Sequence, residues 1–254
     1  MVMKPIARML DSGEQALVVE FGDSIDPAIN ARVHQLARQL NGFTLPGMLE
    51  VIPTYRSLMV RFDPLVLRRE SLKQKITEMC ASYGGSGLSG ESKVTLIPVS
   101  YGGDFGPDLE FVARHNGLSP QEVIALHTST PYLVYMLGFT PGFPYLGGMS
   151  QRLATPRLES PRQRIPAGSV GIAGAQTGIY PIESPGGWRL IGRTPITLFS
   201  PRSPQPFLFS AGEYLQFTAV SADEYAFIST EVAAGRFNPQ VRYMQSGGSH
   251  VHGS

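Results

Sequence analysis

Of the five histidines in this 254-residue chain, His127 is the one whose surroundings point to chemistry. It closes a segment opened by Ser119-Pro120-Gln121-Glu122, a capping box with proline at the first helical position, so a helix runs to about His127. Its spacing of four from Val123 and three from Ile124 puts the imidazole on their inward face. A helix C-terminus favours the imidazolium, and the ring could serve as a general base or as a hydrogen-bond partner of a ligand. The same pattern also suits a half-buried histidine that caps the last carbonyls, the commoner case. His34 and His115 fall on polar faces, and His250 and His252 lie in a loose tail. No Cys, His and acid cluster has zinc-site spacing, so no protein-held metal is expected. A magnesium ion carried by a nucleotide needs few protein ligands and stays open.

A second candidate lies between residues 156 and 195. Arg157, Arg162 and Arg164 gather within eight residues, just before a run of small residues containing Gly168, Ser169, Gly171 and Gly174. Guanidinium forks beside exposed backbone N–H groups suit a carboxylate or a phosphate. The spacing matches neither a P-loop nor a dinucleotide fingerprint. A barrel with glycines at its corners and arginines on its surface would read the same way. Gln176, Tyr180 and Trp188 add amide, hydroxyl and indole groups, although a lone tryptophan more often packs in a core. No nucleophile signature is present: Gly168-Ser169-Val170-Gly171 lacks the G-x-S-x-G frame, and Cys80 lies in a helix near its apolar face. Asp104 and Asp108 read as turn and first-turn acids. The third candidate is GFTPGFPYLGGM, residues 138–149, with four glycines, two prolines, three aromatics and no charge. Such a stretch is a loop.

The elements that must position these groups divide the chain in two. QALVVEFG reads as a buried strand, Asp26-Pro27 opens a helix, MLEVIPT and SLMVRF are β-rich, and a second helix follows Asp63-Pro64. That order is most of a split βαβ, ferredoxin-like unit, with Val94 to Val99 available as its last strand. YGGSGLSGES (83–92) reads as a linker. Beyond it, short β-prone runs (SVGIAG, TGIYPIES, WRLIGRT, ITLF, EYLQFTAV) alternate with Gly/Pro turns, the pattern of a barrel or sandwich. A helix with Ser221 as N-cap follows. The expected fold class is α+β: residues 1–88 a small α+β domain, 89–244 a β-barrel domain and 245–254 a disordered tail. A net charge of +1, with basic residues scattered, argues against nucleic acid as the main partner. No run of about 18 apolar residues is present, which argues against a spanning helix. The missing signal peptide and the single cysteine lead to a cytoplasmic expectation.

YGGDFGPDLEFVA, the His127 helix, PYLVYMLGFTPGFPYLGGM, PRLESPRQRIPAGSVGIAGAQTGIYPIESPGGW and IGRTP together resemble the KipI or allophanate hydrolase subunit 1 family. VVEFGDSID and EVIPTYRSLMVRFDP match it too, so the likeness covers about residues 10 to 240. The resemblance implies a small α+β N-terminal domain and a cyclophilin-like β-barrel. The family's enzymatic members are the B subunit of the bacterial ATP-dependent 5-oxoprolinase. That subunit works with two others, a KipA-like C subunit and the A subunit, to open 5-oxoproline to glutamate. A five-membered lactam is a poor electrophile, and phosphorylating its amide oxygen creates a leaving group; that chemistry needs cations and N–H donors. On this resemblance Arg162, Arg164 and the Gly168–Gly174 backbone become expected phosphate or carboxylate contacts, and His127 an acid/base or orienting group. Phe139, Phe143 and Tyr145 are expected to wall an apolar cleft, with Gly142 letting a backbone N–H approach the ligand, or else to dock the C subunit. The family also offers two other roles. One is inhibition of a sporulation histidine kinase. The other is the carboxyltransferase half of a urea carboxylase, where biotin would arrive on another chain because no A-M-K-M motif occurs here.

Overall fold

The structure, a computed structural model, describes residues 7–81 and 91–245. Most of the expected linker, the tail with its two histidines, and Tyr83 lie outside the described residues. The chain divides at Gly90/Glu91 into two compact units.

The first unit is a four-stranded antiparallel sheet in the order β1 (Arg8–Ser12), β2 (Ala16–Glu20), β4 (Ser57–Phe62), β3 (Met48–Pro53). Helices α1 (Pro27–Asn41) and α2 (Arg69–Ala81) cover it. The Asp26 carboxylate accepts from the Ala28 and Ile29 N–H groups at 2.8 and 3.1 Å, so the Asp-Pro start acts as read. Helix α2 begins five residues after Pro64 rather than on it. Asp63 first closes a turn, accepting from Leu65 N–H through its side chain and from Leu67 N–H through its carbonyl. Leu17, Val19, Val33, Leu36, Leu58, Val60, Leu72 and Ile76 form the core. His34 is buried among them instead of solvated, because Asn30, Val33, His34 and Ala37 share the inward face.

The strand expected to complete this sheet, Val94 to Val99, belongs elsewhere. Its place is taken by β1, which folds back on β2 in register Arg8↔Glu20 to Ser12↔Ala16. Gly13 turns the hairpin at φ 64, a backbone conformation natural for glycine. A local hairpin outcompetes a distant strand because its loop is short.

The second unit is the barrel. Its sheet runs β10 (Gln176–Ile179), β9 (Ser169–Ala173), β12 (Arg189–Arg193), β5 (Glu91–Tyr101), β13 (Tyr214–Ala219), β6 (Tyr132–Leu137), β7 (Pro144–Gly147). The end strands β7 and β10 lie side by side, so the sheet is nearly closed. β5 is the seam: Val94–Val99 pairs in parallel with Tyr214–Ala219, while its start pairs with β14 (Val241–Gln245) and Ser100 and Tyr101 pair with β12. β8 (Arg162–Ile165) and β11 (Ser184–Gly186) pair antiparallel as a separate two-stranded sheet. Helices α3 (Leu109–His115), α4 (Pro120–Thr128) and α5 (Ala222–Ala233) complete the unit. Both serine capping boxes, at Ser119 and Ser221, form as the sequence predicts. ITLF does not become a strand; it contributes a single bridge, Phe199↔Phe207.

Candidate functional site

His127 sits in the middle of the barrel, fully buried. Its ring lies 4.3 Å from that of Phe217 at 25° between planes, and Tyr132 donates its O–H to the His127 carbonyl at 2.9 Å. Thr177 gives its hydroxyl proton to the Gly171 carbonyl at 3.0 Å. Its oxygen is therefore left to accept from His127 Nε2–H at 2.8 Å. Nδ1 then carries the lone pair and accepts from the Tyr101 O–H at 2.8 Å. This accounting assigns the Nε2–H tautomer, and it ties α4, β5, β9 and β10 together through one neutral ring. Burial pushes the His127 pKa down to about 3. The helix end is worth at most about 2 kcal/mol to an imidazolium. The depression corresponds to roughly 5 kcal/mol, so burial wins.

The arginine and glycine block is likewise committed internally. Arg162 donates through Nη2 to the Asp108 carboxylate at 3.0 Å and through Nη1 to the Trp188 carbonyl at 3.3 Å. The second Asp108 oxygen accepts from Leu190 N–H at 2.7 Å. Arg164 lies on the surface and pairs with Glu183 at 2.6 Å. The Gly168 N–H donates to the Tyr180 carbonyl and the Ser169 N–H to that of Pro166. Gly171 pairs with Gly178 in β10 and with Leu190 in β12, and Gln176 faces Ala173. Gly168 is glycine for a steric reason: at φ 81, a Cβ there would lie 2.2 Å from the Thr194 carbonyl oxygen. These N–H groups hold the barrel shut, and the structure does not assemble them into a cradle.

Asp108 is the residue that local reading misses. It is not a helix cap, since its side chain makes no capping bond. It is a 7%-exposed carboxylate that fastens β8 and β12 to the start of α3. Its partners lie 54 and 82 residues away, so no spacing in the sequence reveals it.

The aromatic residues separate into two sets. Phe143, Tyr180 and Trp188 are buried and meet edge to face, with ring centroids 5.6 to 6.3 Å apart. Gly178 leaves room for two of them; a Cβ would stand 3.0 Å from Phe143 and 3.1 Å from Trp188. They form a core, and only Tyr145, half-buried against Phe143, reaches toward its edge. Phe139 sits at the outer edge of this set, its ring edge to face with that of Phe143 at 5.7 Å. It is 66% exposed, and among the described residues it is the one non-glycine with positive φ, 63°. Thr140 N–H donates to the Gly138 carbonyl at 2.8 Å, closing a three-residue turn around it. Gly142, at φ 82, lets the loop press on Phe199, and Phe199 stacks on Phe207. Leu137–Gly142 and Phe207 line an open apolar pocket of about 340 Å³. Thr140 Oγ1, in that lining, is buried without a hydrogen-bond partner. Among the described residues, no group of three or more His, Cys, Asp or Glu is placed to hold a metal ion. No helix among them is long and apolar enough to cross a membrane.

Comparison with known proteins places this architecture. A family model described as the carboxyltransferase domain, subdomain C and D, matches residues 7–209. The 5-oxoprolinase B subunit of Bacillus subtilis is 47% identical over 223 residues, covering 84% of this chain and 92% of that protein. The protein of the same name from Escherichia coli O157:H7 is 43% identical over 214 residues, covering 83% and 95%. The crystal structure of TTHA0988 superposes with a TM-score of 0.73 at 38% identity, over 82% of this chain; this chain spans 41% of that one. The urea amidolyase of Kluyveromyces lactis, at 22% identity and a TM-score of 0.78, shares the fold. The likeness carried by the motif blocks is thus borne out, and the chain belongs to the carboxyltransferase subdomain C and D family, among relatives named as B subunits of 5-oxoprolinase.

Proposed function

We propose that this chain acts as the B subunit of an ATP-dependent 5-oxoprolinase. The observation that carries the reading is near-complete coverage in both directions by relatives of that name at 43 to 47% identity. The geometry supports a role within a complex over solitary catalysis. His127 is neutral and enclosed, and the guanidinium of Arg162 is held by Asp108. The loop around Phe139 is one of the apolar surfaces the barrel unit presents outward, together with Phe227 and Tyr243. Partners corresponding to the C and A subunits then supply the cations for phosphoryl transfer, and the complex works in the cytoplasm. ATP, with its magnesium ion, supplies the phosphoryl group that turns the lactam oxygen into a leaving group. One water adds to that carbon and the ring C–N bond breaks, the nitrogen leaving as the amine of γ-glutamyl phosphate; a second water then hydrolyses this acyl phosphate to glutamate and phosphate. This chain's residues would bind and orient the lactam or the nucleotide and keep bulk water out.

The test is ADP release by the chain copurified with its A and C partners. Release that rises with 5-oxoproline supports the reading, and release indifferent to it refutes it. A carboxyltransferase role follows from the family description and the urea amidolyase fold. It ranks second because those relatives are only 22 to 24% identical.

A further inference from the structure

A sheet edge is a row of backbone N–H and C=O groups without partners, and proteins blunt such rows with charge, proline, bulges or closure. The edges of this protein divide on that test. β1 carries Arg8 and Asp11, and Asp11 is ion-paired with Arg69 and Lys73 of α2. β3 is bulged between Met48 and Glu50 and ends on Pro53. The β8–β11 pair is irregular between Ser184 and Gly186 and holds Pro185. β7 and β10 close on each other. β14 has none of these devices. Its five residues, VRYMQ, include no proline or glycine and follow the start of β5 in unbroken register, Val241↔Thr95 to Gln245↔Glu91. Val241 and Tyr243 are 42% and 64% exposed. Arg242, the one charge that could guard the edge, is turned back onto Gln216.

The ladder also gives the direction of the free groups. Leu96 N–H donates to the Gln240 carbonyl at 2.8 Å. In an antiparallel ladder, residues alternate between bonding the neighbouring strand and facing away from it. Arg242 and Met244 therefore bond to β5 as Gln240 does, and Val241 and Tyr243 aim both N–H and C=O outward. Among the described residues no strand lies beyond β14. Such a row accepts an extended peptide and nothing more compact. A five-residue edge is only about 17 Å long. Pairing it with a second copy buries far less than the roughly 1,200 Å² of a stable interface. The added strand holds when its donor is already bound through other contacts, at high effective concentration.

We propose that an extended segment of a partner subunit adds to β14, bonded to the N–H and C=O groups of Val241 and Tyr243, with apolar side chains beside theirs. That the donor is a subunit of a complex rests on the proposed function; that it is a strand rests on the edge.

The experiment is hydrogen exchange on the full-length chain, alone and copurified with its partners. The Val241 and Tyr243 amides exchange freely in the chain alone and at least about a hundredfold more slowly in the complex. Tyr243→Pro and Val241→Pro each remove an outward N–H and leave the β5 ladder whole. Both keep the wild-type melting temperature and weaken copurification roughly tenfold. Arg242→Pro removes an inward N–H and lowers the melting temperature instead; an unchanged value would mean the groups face the other way and would overturn the proposal. Amides that exchange as fast in the complex as in the chain alone overturn it, as do proline variants that both copurify like the wild type. Protection that appears in the chain alone and rises with its concentration overturns it too, because a second copy then fills the edge. Protected amides in a complex without 5-oxoproline-dependent ADP release remove the functional reading and leave the strand. ADP release with unprotected amides does the reverse.

Discussion

His127 and Phe139 flank the same strand, β6, and their surroundings are opposites. The imidazole has every polar atom partnered, no exposure and an aromatic neighbour at stacking distance. The loop around Phe139 has an exposed ring, a strained backbone and a hydroxyl left without a partner. Residue type alone favours the histidine as the reactive group. The physical accounting favours the loop, because a complete hydrogen-bond network has no capacity left for a substrate.

Substitutions can sharpen that contrast, and the largest effect belongs to the core. His127→Ala leaves a cavity and strands the Tyr101 hydroxyl, while Thr177 keeps its bond to the Gly171 carbonyl. The substitution should lower stability by about 3–5 kcal/mol in denaturant unfolding. The pH dependence follows from the same site. Folded His127 has a pKa of about 3 and its unfolded form about 6.5. The unfolded chain therefore binds a proton first, so this contribution is complete above about pH 6.5. It is lost by up to about 1.4 kcal/mol per pH unit as the pH falls toward 3. His127→Gln should flatten that slope; an unchanged slope would mean that His127 is not held neutral.

Gly168→Ala comes next, at about 2–3 kcal/mol, since its Cβ would meet the Thr194 carbonyl on a positive-φ backbone. Asp108→Asn should cost about 1–3 kcal/mol by thermal unfolding. That is below the 3–5 kcal/mol typical of breaking a fully buried pair, because the Arg162 side chain is 29% exposed. Phe139→Gly inverts the trend. Relieving φ 63 should leave stability unchanged or raise it by about 1 kcal/mol. A marked loss of stability there would place Phe139 with the core and erase the contrast.

Much of the scaffold was legible because its signals are local. Ser119 and Ser221 announce their helices through residues three positions on, and Asp26-Pro27 does the same. The alternation of β-prone runs and Gly/Pro turns gave the barrel. The rest depends on distant neighbours. Val94–Val99 looks equally suited to either unit, and only the β1–β2 hairpin and the parallel pairing with Tyr214–Ala219 decide its home. Asp108 resembles any first-turn acid until the chain brings Arg162 and Leu190 to it. Only the first half of GFTPGFPYLGGM is the loop the sequence suggests; Pro144–Gly147 pairs with β6 as strand β7. Which of its phenylalanines turns inward was not legible, because an irregular backbone has no period to project. Phe143 went to the core and Phe139 to the surface.

The central claim, that the outward loop and not the buried histidine serves catalysis, meets its most direct test in one assay. It is 5-oxoproline-dependent ADP release by the assembled complex carrying wild-type or Phe139→Gly chain. The account predicts lactam-dependent release by the wild type and a loss of at least about tenfold in kcat/KM for a variant that folds and assembles normally. Release independent of the lactam, or full kcat/KM in the variant, would contradict it.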